Sequence, residues 1–411
     1  MAATPCFPAA RCASHMAVVI VLFSLVALPA LPVRSGPMTP VILPAAEIGL
    51  AVELELQLPG SKAALPVQRL PDGRLAAVVP LELAIEHAEN TEFWQQALKP
   101  SAGTEAVPMR AELDGTRLSL SAHGKTVAVY HAEPSEFPRP DIDPVHKRGG
   151  YLHPVRTPGG VTVTDDFPPQ HTHHHGVWWA WTQTNFQGRR PDFWNLAKGT
   201  ARVDTLKLER SWSGPVCAGF LASHRYHDLG APDGAPVAVI DEIWEVIVWS
   251  LPGDPAPYHL LDLTTHHRTS GDDALALPKY HYGGLGVRGH GQWNGEENTR
   301  FLTSEGQTDR LKGNATKARW CHMGGDIDGV PAGLAILDDP QNFRHPQPMR
   351  LHPNEPFFCY APQQDGDMGI KPGDDYITRH RLVIADGAPD AELLNRLADA
   401  FNAAISARLQ P

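Results

Sequence analysis

Ile240-Asp241-Glu242-Ile243-Trp244-Glu245-Val246-Ile247-Val248-Trp249 is the stretch on which the fold turns. Near its end, apolar side chains occupy consecutive positions, so an extended chain is apolar on both faces there. A strand of that kind belongs in the middle of a large sheet, covered on both sides. Shorter strand patterns surround it: Val161–Thr164, Val177–Trp181, Gly219–Tyr226, His259–Thr265, Leu285–Arg288, Gly333–Leu337 and Phe357–Tyr360. Nearer the N-terminus, Ala51–Leu58 alternates, and Asp114-Gly115 joins two alternating runs as a hairpin turn does. The 39 prolines and 36 glycines are spread along the chain, which suits many strands joined by turns. The fold class expected is mainly β, and 42% hydrophobic residues are enough to bury a core.

The chain divides by pattern. Residues 1–36 read as a signal peptide: Arg11 precedes an apolar run, Met16–Val33, interrupted by Pro29 and Pro32. An N-terminal anchor is the alternative, because the run approaches the length of a membrane span. Nothing later is long and apolar enough to span a bilayer, so the mature chain is expected to be exported, periplasmic or extracellular. Residues 40–133 read as an N-terminal β region, with one short helix within Glu82–Leu98. Residues 134–150 read as a Pro-rich connector and 151–388 as the main β-sandwich. Residues 389–411 read as a closing helix, opened by Pro389-Asp390, with Leu393, Leu394, Leu397, Phe401, Ala404 and Ile405 on one stripe.

A net charge of -11 and a pI near 6.0 disfavour nucleic acid and anionic membrane surfaces as partners. Cys217, Cys321 and Cys359 form neither a disulfide framework nor a zinc ribbon, and read as small buried apolar residues. No GxGxxG, P-loop, GxSxG or HExxH sequence occurs, which argues against a nucleotide enzyme, an α/β-hydrolase and a standard zinc protease.

The chemistry concentrates in His171-Thr172-His173-His174-His175-Gly176-Val177-Trp178-Trp179-Ala180-Trp181. Imidazole exchanges protons near neutral pH and ligates metals, and indole offers flat apolar surface to a ligand. Along a strand, Trp178 and Trp179 point to opposite faces. Three further segments carry usable polar groups: His266-His267-Arg268 at a strand end, His281-Tyr282-Gly283-Gly284 with Arg288, and the loop with Asp339, Arg344 and His345. Gly283-Gly284 would let backbone approach a ligand closely.

These blocks resemble a bacterial family of exported proteins, found near sugar-catabolic genes, that carries the label PmoA-like or methane oxygenase. The resemblance covers roughly residues 140–385. It rests on the His-rich run before Gly176-Val177-Trp178-Trp179, on Asp192-Phe193-Trp194, on His281-Tyr282-Gly283-Gly284 with Arg288, and on Asp339-Pro340-Gln341-Asn342-Phe343-Arg344-His345-Pro346. Here His175 stands where the family pattern has Arg, and the segment Asn185–Trp194 is longer than the family's block. A methane monooxygenase subunit spans the membrane several times, so methane oxidation is not expected of this chain. A second, fold-level resemblance is to galactose mutarotase-like proteins. It rests on Leu263-Thr264-Thr265-His266 and on Ile370-Lys371-Pro372-Gly373-Asp374 before the last strand. It implies an antiparallel β-supersandwich that binds sugars in a groove lined by His, Arg and Trp.

The expectation is an exported carbohydrate-active enzyme, a lyase, hydrolase or epimerase on a sugar or keto-sugar derivative. His174, His267 and Arg344 are its candidate catalytic residues. Trp178, Trp179, Arg268, His281, Tyr282, Arg288, Asp339 and His345 are the candidate substrate contacts. A divalent metal, held by some of His171, His173, His175 and His281, is a further expectation. A non-catalytic sugar-binding module and a His-coordinated metalloprotein are the alternatives. All of these expect the distant histidines, arginines and tryptophans to meet in a single groove.

Overall fold

The computed structural model describes residues 36–44, 53–61, 63–101, 103, 106–133 and 137–403. The expected signal segment, apart from residue 36, and the helix positions Ala404 and Ile405 lie outside the described residues. Two eight-stranded antiparallel sheets stack face to face. The back sheet runs Ala201–Trp212, Cys217–Asp228, Val237–Trp249, His259–Thr269, Tyr376–Asp386, Val330–Asp338, Trp320–Ile327, Arg300–Thr303. The front sheet runs Met349–Leu351, Phe357–Tyr360, Gly284–Arg288, Val177–Ala180, Tyr151–Val155, Lys125–His131, Arg117–Ala122, Met109–Asp114. This is the antiparallel β-supersandwich with a C-terminal helix that the sequence reading expects.

The strand Val237–Trp249 is central in the back sheet, as its sequence requires. Val246 and Val248 enter the core between the two large sheets, while Ile247 and Trp249 enter a second core on the other side. That second core is closed by a five-stranded N-terminal sheet and by the helix Ala391–Ala403. Asp390 caps the helix by accepting from the Leu393 amide at 3.0 Å. Leu394, Leu397 and Phe401 are buried against the sheet, and Asn395 accepts from the Trp320 indole at 2.9 Å. Between Leu81 and Ala97 the chain forms two short helices, Leu81–Glu86 and Thr91–Ala97, where one was expected. Asn90 breaks the run because its side chain caps the second helix.

The division expected at residues 134–150 does not separate two sheets. The strands from Met109 to His131 belong to the front sheet, where Lys125–His131 pairs with Tyr151–Val155. Pairing across a connector is a long-range event that local pattern does not encode. Cys217, Cys321 and Cys359 are free and buried, as expected of small apolar residues.

Several buried histidines are held neutral. Burial lowers the His322 pKa to about 4, and the ring occupies the space that side chains at Gly324 and Gly333 would fill. In the unfolded chain its pKa is about 6.5. Between those values the unfolded state binds more protons, so stability rises with pH and is lost as pH falls from about 6.5 towards 4. Urea unfolding at pH 7.5, 5.5 and 4.5 should show that fall. His322→Gln should flatten it by up to about 1.4 kcal/mol per pH unit; an unchanged slope would show that this ring does not contribute.

Candidate functional site

The strand Val177–Ala180 pairs with Gly284–Arg288 on one side and Tyr151–Val155 on the other. Its alternation splits the aromatic run. Trp179 joins the core between the sheets, and Trp181, just beyond the strand, does the same. Trp178 joins a separate cluster on the opposite face with Tyr151, Trp194, Phe357 and Cys359, and Tyr282 packs on its edge. Trp178 lies across from Gly286 in the ladder. A methyl group at Gly286 would crowd both Trp178 and Trp194, at 3.2 and 3.0 Å, so glycine there makes room for the two indoles. Their ring centroids are 5.0 Å apart.

Above this aromatic floor lies a shelf of polar groups from three distant segments. His174 is buried, with its ring stacked on His171 at 4.8 Å and on Phe357 at 4.8 Å. Burial holds it well below the ordinary histidine range, so it is neutral at physiological pH. His171 and His173 are half-buried, with rings 5.5 Å apart edge to face. The turn His352-Pro353-Asn354-Glu355, joining two front-sheet strands, brings His352 to 5.8 Å from the His171 ring. It also brings Glu355 Oε2 to 2.9 Å from His171 Nδ1. Arg288 is fully buried; it donates to Glu355 Oε2 and, at 2.6 Å, to Asn294 Oδ1. Arg350 lies 5.0 Å over the Tyr282 ring and donates to its hydroxyl at 3.2 Å. His281 is exposed and packs on Tyr282, with centroids 4.6 Å apart.

The single groove expected from the sequence is not what forms. His171, His173, His174, Trp178, Tyr282 and Arg288 gather on the shelf side of the front sheet, with His281 at its rim. Trp178 and Trp179 are both fully buried, so neither presents a free face for stacking on a ligand. His175 packs into the aromatic floor, stacked on Tyr151 at 4.5 Å, and its Nδ1 lies 2.8 Å from Asp166 Oδ1. The expected His171, His173, His175 metal set is therefore not assembled: among the described residues the grouped ligand atoms belong to His171, His352 and Glu355. Gly283 and Gly284 admit protein rather than ligand, because side chains there would strike Gln363 and the Tyr360 carbonyl.

The remaining candidates are elsewhere. His267 lies between the two sheets, fully buried, with Nε2 2.8 Å from Glu242 Oε1. His224 Nδ1 reaches the other oxygen of Glu242 at 2.8 Å, and the Tyr226 hydroxyl donates to Oε1 at 3.1 Å. These neighbours hold the Glu242 carboxyl far below its ordinary range, the His267 charge first among them, although burial alone would raise it. Arg268 pairs with Asp375 near solvent. Arg344 donates to the carbonyls of Pro362, Gly366 and Asp367 at 2.7, 2.8 and 3.0 Å, and so ties one loop to another. His345 Nδ1 lies 2.8 Å from Asp338 Oδ2, which also accepts from the Gln347 amide. Asp339 is buried, accepts from the Gln341 amide at 2.7 Å, and is pushed up to about 6 by burial. The Asp339–Pro346 block is thus a self-bonded corner, not a wall of the shelf. His352, Glu355 and Arg350 were missed by the sequence reading. Their one signal was His352-x-x-Glu355 in the turn between Leu351 and Phe357.

If His267 supports Glu242 rather than catalysing, His267→Ala should destabilise the protein by about 3–5 kcal/mol, because it leaves a buried carboxylate short of its partner. Denaturant unfolding measures this, and a loss below about 1 kcal/mol would remove the structural assignment.

The sequence profile of DUF6807, described as a family of unknown function, matches residues 117–399. No curated protein matches the chain. Among solved structures, the heparan sulfate lyase HepC from Pedobacter heparinus is similar over 75% of this chain and 42% of its own length. The identity is 10% and the TM-score 0.34. The chain spans less than half of that lyase, and at this score the likeness carries no weight on chemistry.

Proposed function

This chain belongs to the DUF6807 family, whose function is unknown, and we propose that it is an exported enzyme acting on a sugar or keto-sugar derivative at the histidine shelf. One observation carries the reading. Three polar segments, 171–174, 281–282 and 350–355, converge over a floor of packed aromatic rings. Groups held by a rigid, buried floor are preorganised, and a preorganised polar cluster stabilises charge that develops in a transition state. Hydroxyl-rich substrates need many donors and acceptors at fixed spacing. The Tyr282 hydroxyl and the Arg350 guanidinium supply them at one end of the shelf, and the imidazoles at the other. His173, half-buried at the edge of the cluster and held neutral by burial, is placed to take a proton from a bound sugar. His174 is a positioning residue, fixing His171 by stacking.

The test is incubation of the protein with a panel of glycosides and 3-keto-glycosides, followed by NMR. Turnover of at least one member is expected. His173→Ala and Arg350→Ala should each lower kcat/KM by roughly 10²–10⁴-fold with the fold intact by circular dichroism. Binding that persists without turnover, unchanged in both variants, would make the protein a binding module; neither binding nor turnover would end the sugar reading. Export is checked separately: the chain recovered from outside the cytoplasm should begin near residue 36.

A further inference from the structure

We propose that His171, His352 and Glu355 form a binding site for one first-row transition-metal dication of the Zn²⁺, Mn²⁺ or Fe²⁺ class. One nitrogen or oxygen from each residue lies within 4.8 Å of the other two. The residues come from two loops far apart in sequence, so the convergence is a property of the fold and not of local composition. The closest pair, His171 Nδ1 and Glu355 Oε2, stands at 2.9 Å. That nitrogen is buried and makes no aligned hydrogen bond, to Glu355 or to any other group. Two atoms bound at right angles to one cation, each at about 2.1 Å, stand about 3 Å apart. The pair therefore has the spacing of an edge of a coordination shell.

The surroundings fit the same role. Arg288, fully buried, donates to Glu355 Oε2 and is itself held by Asn294, so the carboxylate is fixed in place. Neighbouring groups that orient a ligand in this way are a regular part of metal sites. His171 is fixed by stacking on His174, whose ring lies on Phe357. His352 is placed by its own turn, where its Nδ1 accepts from the amides of Asn354 and Glu355 at 3.3 and 3.1 Å; a metal bonded at Nδ1 would displace these two contacts. Two imidazoles with one carboxylate select a transition metal over Ca²⁺ or Mg²⁺, which take oxygen ligands. Three protein ligands leave positions open to water or substrate, as a reactive metal centre requires. The site stands whether or not the substrate is a sugar.

The experiment uses the full chain without a histidine tag, stripped with chelator and titrated with Co²⁺ under visible absorption and calorimetry. One equivalent should bind, with d–d bands that report nitrogen and oxygen ligands. His352→Ala and Glu355→Gln should weaken binding at least 100-fold, while His266→Ala, on the back sheet beside Asp375, should bind as the parent does. Absence of binding by the parent at 1 mM Co²⁺, or equal affinity in the parent and both ligand variants, would overturn the site. If a ligand variant fails to fold by circular dichroism, His171→Asn replaces it under the same criterion. Because the readout is metal occupancy, it is independent of turnover in the sugar panel: metal binding without turnover would leave this site standing and the sugar reading fallen.

Discussion

Successive side chains of a strand must leave on opposite faces, and at Trp178-Trp179 that constraint ties the core to the shelf. Trp179 packs between the two large sheets against His267 and Trp181, with ring centroids at 5.2 and 5.7 Å. Its neighbour Trp178 forms the floor under the histidines. One strand therefore anchors the interior and carries the candidate site. The floor has the rigidity of a core because it is buried like one, and the polar groups on it inherit fixed positions.

The interior between the sheets contains a second polar system, of a different kind. Glu242 is a buried carboxylate surrounded by His224, His267 and Tyr226. Tyr130 extends the chain of contacts, its hydroxyl 2.7 Å from His224 Nε2. The Tyr226 hydroxyl also lies 3.2 Å from the Trp179 carbonyl, a contact between the back sheet and the front sheet. Burying a charge is unfavourable unless it is paired and hydrogen-bonded, and here the carboxylate is both. Such a network fixes how the two sheets sit on each other. The shelf, by contrast, lies on the outer face of the front sheet and has half-buried members, His171 and His173 among them.

The corner Asp338–Gln347 shows how a polar block can mislead. Its carboxylates, arginine and histidine look like reactive groups in a row. In the fold most of them bond one another or nearby backbone: Asp338 lies against His345 and accepts from the Gln347 amide, and Arg344 donates to three carbonyls, while Asp339 Oδ2 is buried without a hydrogen-bond partner. A tight turn that buries polar backbone needs such partners, so the composition has a structural cause.

Local pattern determined what kind of element each segment becomes. The doubled apolar face of Val246–Trp249 placed that strand at the centre of a large sheet, Asp114-Gly115 made a hairpin, and the stripe through Leu394 and Phe401 made the closing helix. The run His171–Trp181 also marked where imidazoles and indoles gather on the front sheet, and there the proposed site lies. Tertiary structure alone decided which groups meet. It put His352 and Glu355 beside His171, moved His267 into the core and Arg344 into a loop tie, and joined Met109–His131 to the front sheet. The physical reason is the same in each case. Periodicity records which face of an element is apolar, whereas a meeting between residues 171 and 355 depends on strand order and loop path, and neither leaves a trace in the neighbouring residues.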